Sequence, residues 1–94
     1  MVGAPGDIEA FVAHVGTLPN SIMLDWANAD LAESYHVYAQ IVGTDAHFKL
    51  NQTVHDSDAT VTGLPHGATV RFMVRAVNAH GEGPASDVLE IVVV

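Results

Sequence analysis

The 94-residue chain has room for one domain and one core, and its 49% apolar share is enough to fill that core. Three basic residues against eleven acidic ones give a formal charge of -8, which sets the surface against nucleic-acid phosphates and anionic membranes and favours solubility. There is no cysteine to staple the fold, and no apolar stretch reaches the length of a membrane-spanning helix.

Met1 to Gly6, with its glycines and proline, reads as the end of a linker, and residues 7–94 as the domain. Ile8 to Val15 reads as a first strand with apolar residues on both faces, so the side taken by Phe11 stays open. Gly16 to Asn20 is a turn. Ser21 to Trp26 alternates cleanly, with Ile22, Leu24 and Trp26 inward and Met23 and Asp25 outward. Ala27 to Ser34 is a polar loop in which Leu31-Ala32-Glu33 suffices for one helical turn.

Tyr35 to Ile41 alternates again, with Tyr35, Val37, Ala39 and Ile41 inward and His36, Tyr38 and Gln40 outward. After a turn at Gly43 to Ala46, the polar run His47 to Val54 reads as a short edge strand. His55 to Asp58 turns the chain into a strand at Ala59 to Thr62, with Val61 facing the core. Leu64-Pro65-His66-Gly67 then leads into the longest alternating run, with Val70, Phe72, Val74 and Ala76 on one face and Arg71, Met73, Arg75 and Val77 on the other. His80-Gly81-Glu82-Gly83-Pro84 reads as the hairpin turn that closes it. In the final strand, Asp87 to Val94, Leu89, Ile91 and Val93 form the inner face, because Glu90 spoils the opposite register. Seven short strands with no helical period predict an all-β sandwich.

Trp26, Tyr35-His36-Val37, Gly63-Leu64-Pro65-His66-Gly67, Ala76-Val77-Asn78 and Gly81-Glu82-Gly83-Pro84-Ala85-Ser86 together resemble the fibronectin type III domain over nearly the whole chain. The resemblance implies a seven-stranded, immunoglobulin-like Greek-key sandwich, with Trp26 as a core anchor. Two departures stand out. The family's tyrosine, six residues after the turn's leucine, is Val70 here, so its hydroxyl bond is missing. Pro65 also follows Leu64 directly, where the family tends to carry proline one residue later. The hairpin after Asn78 has no Arg-Gly-Asp, so integrin binding is not carried over.

Six histidines are scattered over strands and turns, and the tightest group, His55-Asp56-Ser57-Asp58, cannot alone supply the ligand set of zinc or calcium. No serine sits on a nucleophile elbow, and paired-carboxylate chemistry needs a cleft that a small sandwich seldom has. No metal, cofactor or catalytic residue is therefore assigned. The candidate interaction face is the outer side of the sheet, carrying His36, Tyr38, Arg71, Met73, Arg75 and Glu90, where Tyr, Met and Arg match interface composition. Arg71 or Arg75 is expected to reach Glu90 and Tyr38. Asn51-Gln52-Thr53 is an N-glycosylation sequon on an edge strand, relevant only in a eukaryotic secretory protein.

The reading is a non-catalytic spacer or interaction module of a larger multidomain protein, monomeric in isolation and partnered by neighbouring domains of its own chain or by another protein. No nucleic acid and no membrane insertion are expected. One rival is a protein- or glycan-binding module using the loops at residues 27–34 and 78–84, which carry neither aromatics nor arginine. Another is an accessory domain of a secreted carbohydrate-active enzyme. The scarcity of lysine, with the Ala, Val, Asp and His bias, points toward an extracellular or cell-surface setting, with a secreted bacterial protein favoured. The first residues show no basic region or apolar core of a signal peptide, so no targeting signal supports that setting.

Overall fold

Two antiparallel sheets close on the inward residues that the alternation selects. A computed structural model describes residues 3–94 and assigns them eight strands: β1 (Val12–Val15), β2 (Ile22–Asp25), β3 (Ser34–Ile41), β4 (Lys49–Val54), β5 (Asp58–Val61), β6 (Thr69–Asn78), β7 (Gly81–Glu82) and β8 (Leu89–Val92). The smaller sheet runs β1-β2-β5, and the larger runs β4-β3-β6 with β7 and β8 both on the far side of β6. The chain passes between sheets at β2–β3, β4–β5 and β5–β6.

Ile22, Leu24, Trp26 and Val61 from the smaller sheet meet Tyr35, Val37, Val70, Phe72, Val74 and Ala76 from the larger, all of them buried. Trp26 packs edge-on against Tyr35 with ring centroids 5.3 Å apart, and Phe11 meets Trp26 edge-on from the other side at 6.1 Å. Phe11 therefore leans toward the core. Ile41, Leu89 and Ile91 are half-buried at the margin, and Val93 is fully buried.

The expected inner faces hold throughout, and the differences fall at strand ends. The first strand starts at Val12 because Ala10, at φ 55°, breaks the extended run from Ile8. The hairpin turn after β6 is the pair Ala79-His80 rather than the glycine-rich stretch beyond it, so Gly81 and Glu82 rejoin the sheet opposite Asn78 and Val77. The family's last strand is thereby split in two, giving eight strands where seven were expected.

Ser86 bridges the split. Its N–H donates to the Val74 carbonyl at 2.9 Å, and its buried hydroxyl accepts from the Val74 N–H at 2.8 Å. The crossover that lacks the tyrosine hydroxyl is tied by backbone instead: Leu64 N–H to Asn20 at 3.1 Å, Gly67 N–H to Val93 at 2.8 Å and Val93 N–H to Ala68 at 2.8 Å. Val70 points inward and is fully buried, in register with Ile41 and Ile91.

Chain entry and exit lie at opposite ends of β6. At one end, the Asn78 side-chain amide donates to Gly3 at 2.7 Å and to Leu31 at 3.0 Å, while Gly6 N–H donates to Asp30 at 2.9 Å. Pro5 is buried, and its carbonyl passes so close to Gly83 that a Cβ there would stand 2.7 Å from it. At the other end, Val93 is held beside Gly67 and Ala68. The ten residues of β6 between these points span about 30 Å at ~3.3 Å per residue.

Candidate interaction face

The outer side of the larger sheet is laid out by strict alternation along β3 and β6. His36 stands opposite Arg75, Tyr38 opposite Met73 and Gln40 opposite Arg71, with Glu90 of β8 opposite Arg71 on the far side. All six residues expected to form the face, His36, Tyr38, Arg71, Met73, Arg75 and Glu90, lie on it together. Arg71 donates from Nε to Glu90 Oε1 at 2.8 Å across the β6–β8 pair, as anticipated. Both side chains are about half exposed, so the pair stabilises by only ~0–1 kcal/mol.

Tyr38 makes a different contact from the one expected. Its hydroxyl donates to Glu82, which the sequence pattern places in the hairpin turn and the structure places in β7. The same Glu82 oxygen lies 2.7 Å from His36 Nδ1. The imidazole and phenol rings meet edge-on with centroids 6.1 Å apart. Arg75, between these groups in the register, donates from Nη1 to the Gly83 carbonyl at 3.1 Å. Glu82 thus gathers a phenol and an imidazole of β3 from the far side of β6.

The electrostatics follow from that geometry. The Tyr38 hydroxyl, and after it His36, hold the Glu82 carboxyl below its ordinary range by stabilising the anion. Partial burial, and then the carboxylate beside it, push the Tyr38 phenol above its ordinary value. At the far end of β3, the Ile41 N–H and then Lys49 hold the Asp45 carboxyl low.

The remaining sequence candidates are spread apart. Asn51 is exposed on β4 at a bulge, where the register passes from Leu50 to Gln52 and skips it, and its Oδ1 accepts from Gln52 at 2.9 Å. The turn at His55-Asp56-Ser57-Asp58 has a backbone role, the Ser57 carbonyl accepting from Trp26 N–H at 3.0 Å. The loops at 27–34 and 78–84 border a shallow recess of about 280 Å³ together with Gly3. Asn78 ties both loops to the entering chain, since its Oδ1 also accepts from His80 N–H at 2.8 Å. Glu82 and Asn78 are the two organising residues that the sequence reading missed. The signal for Glu82 was Gly81, which follows the turn Ala79-His80 at a positive φ of 108° and begins the returning strand.

A family model of the fibronectin type III domain matches residues 5–92. Among solved structures, the isolated domain FN3tt superposes with a TM-score of 0.84 at 20% identity, covering 97% of this chain and 96% of that one. A Fn3-like protein from Clostridium thermocellum gives 0.80 at 24% identity, covering 94% and 92%. The twitchin kinase region from C. elegans gives 0.84 at 15% identity, covering 97% of this chain but 17% of that one. Likeness at these identities concerns the fold alone. A search of curated protein sequences returns no match.

Proposed function

The chain belongs to the fibronectin type III family, and on that premise we propose that it is a non-catalytic spacer, one module in a larger multidomain chain. Domains of this family occur as modules beside other domains, as in the twitchin and titin kinase regions. The observation that carries the spacer reading is the placement of entry and exit. Gly3 is held at one end of β6 and Val93 at the other, so the domain can be strung in line and adds about 30 Å between its neighbours.

The same arrangement weakens the reading in which the loops at 27–34 and 78–84 grip a ligand. Residues 3–6 already run between those loops, bonded to Asp30 and Asn78 and packed under Gly83. The test is replacement within the parent protein by an unrelated module of the same fold and length. A spacer tolerates the exchange. Loss of the parent's function on exchange, with folding and length preserved, means that this domain's own surface is recognised and overturns the reading.

A further inference from the structure

We propose that the exit end of the sandwich is a docking face, which seats an uncharged, aliphatic surface of the module that follows in the parent chain. The inference rests on the spacer reading above and adds to it a joint that is stiff on one side.

The exit end is where β1, β3 and β8 finish and β6 begins. Val15 closes β1 opposite Ile22, the Val42 N–H bonds the Thr69 carbonyl, and Val92 is in register with Thr69. The turn at residues 16–20 lies at the same end, because Leu64 N–H donates to Asn20 there. Val15, Leu18, Val42, Val92 and Val94 at this end are 42 to 61% exposed. Among the described residues, Leu31 is the one large exposed apolar side chain at the entry end, and the others stand along the strands between. Single exposed aliphatics are ordinary, but their gathering at one end of a domain marks a surface for contact.

Charge is divided the same way. The formally charged side chains of the exit half are Asp45 with Lys49, 3.1 Å apart, and Glu90 with Arg71, 2.8 Å apart. Each pair cancels. Of the eleven carboxylates the other nine face a single base, Arg75, so the whole formal charge of -8 lies toward the middle and the entry end. Asp25 and Asp58 stand directly opposite one another on that side, and Asp30 and Glu33 occupy the adjoining loop. The exit end is therefore the surface that a neighbour can approach without repulsion, and its aliphatics are what the neighbour meets.

Size decides between occupants. The two shorter dimensions of the molecule are 28 and 18 Å, so its end offers roughly 500 Å² per partner, against about 800 Å² in a stable complex of free proteins. A second copy arriving from solution would be held weakly by so small a face. A module joined after Val94 is already beside it, at an effective concentration on the order of millimolar, and a weak contact keeps it docked.

The test compares hydrogen exchange in the intact parent protein, in the parent truncated after Val94, and in the 94-residue chain. The expected result is severalfold slower exchange at residues 16–20 and 42–46 in the intact parent alone. Leu18→Lys combined with Val42→Lys should remove that protection while the melting temperature of the 94-residue chain stays unchanged. Leu18→Met with Val42→Ile should keep it. Equal exchange in all three proteins would mean a free joint and overturn the proposal, leaving the spacer reading in place. Protection that outlasts the truncation would assign the face to another partner, and concentration-dependent protection of the 94-residue chain would assign it to a second copy. Either result overturns the proposal, as does a parent in which no folded module follows Val94. Failure of the spacer reading shows separately, as loss of the parent's function on module exchange.

Discussion

The hydroxyl of Ser86 accepts the backbone N–H of Val74 at 2.8 Å while the Ser86 N–H bonds the Val74 carbonyl, so one residue stands in for a missing strand partner. Both groups are buried. Ser86→Ala leaves the Val74 N–H unsatisfied and is expected to cost about 1–3 kcal/mol in urea unfolding. Ser86→Thr, which keeps the hydroxyl, should recover part of that loss. An alanine variant as stable as the parent would show that water reaches Val74.

Trp26 is 4% exposed between Phe11 and Tyr35, with its buried Nε1 unbonded. Trp26→Ala should cost about 3–5 kcal/mol. Trp26→Phe should cost less than alanine, because it keeps an aromatic face toward Tyr35 and removes the unbonded donor. Equal losses for the two substitutions would mean that ring packing contributes nothing here.

Val70 occupies the position where relatives place a tyrosine, yet it is fully buried and the crossover is already tied by backbone bonds. Val70→Tyr is therefore expected to destabilise, by about 1–3 kcal/mol through overpacking, which outweighs the ~0.5–1.5 kcal/mol of a restored hydrogen bond. A raised melting temperature would contradict this.

The two shifted groups on the outer face predict opposite pH effects. The folded-state pKa of Glu82 is lowered, so its contribution is present above the ordinary carboxylate value of 4.5 and is lost as pH falls through the depressed folded value. That of Tyr38 is raised, so its contribution is full below 10.0 and fades as pH climbs through the raised folded value. Glu82→Gln should flatten the acid limb of the stability profile relative to the parent, and Tyr38→Phe the alkaline limb. An unchanged acid limb in Glu82→Gln would show that the carboxylate makes no net contacts in solution.

Much of the sandwich was legible because β2, β3 and β6 bury one face each, and period-two alternation reports burial directly. Phe72 and Val74 could be assigned inward from spacing alone. The split of the last strand could not, because it depends on Gly83 fitting beneath the Pro5 carbonyl and on Ser86 meeting Val74, both contacts between distant parts of the chain. Glu82 was misplaced for a related reason. Glycines on both sides of it suggested a loop, whereas the turn needs only Ala79 and His80. The outer face was thus correctly populated by its strands and lacked the carboxylate that organises it.

The position of Gly3 and Val93 at opposite ends of β6 also fixes how the domain carries mechanical load. Tension applied through the two chain ends pulls β8 along its own axis against β6, since the two run antiparallel and Val93 leaves beside Ala68. The hydrogen bonds between Thr69–Phe72 and Leu89–Val92 are then sheared together instead of being unzipped singly. At the entering end, the first contacts to yield are the bonds from Asn78 to Gly3 and from Gly6 to Asp30, outside the sheet ladders. Residues 3–6 can therefore pay out as a short extensible leader before the sandwich itself bears the force.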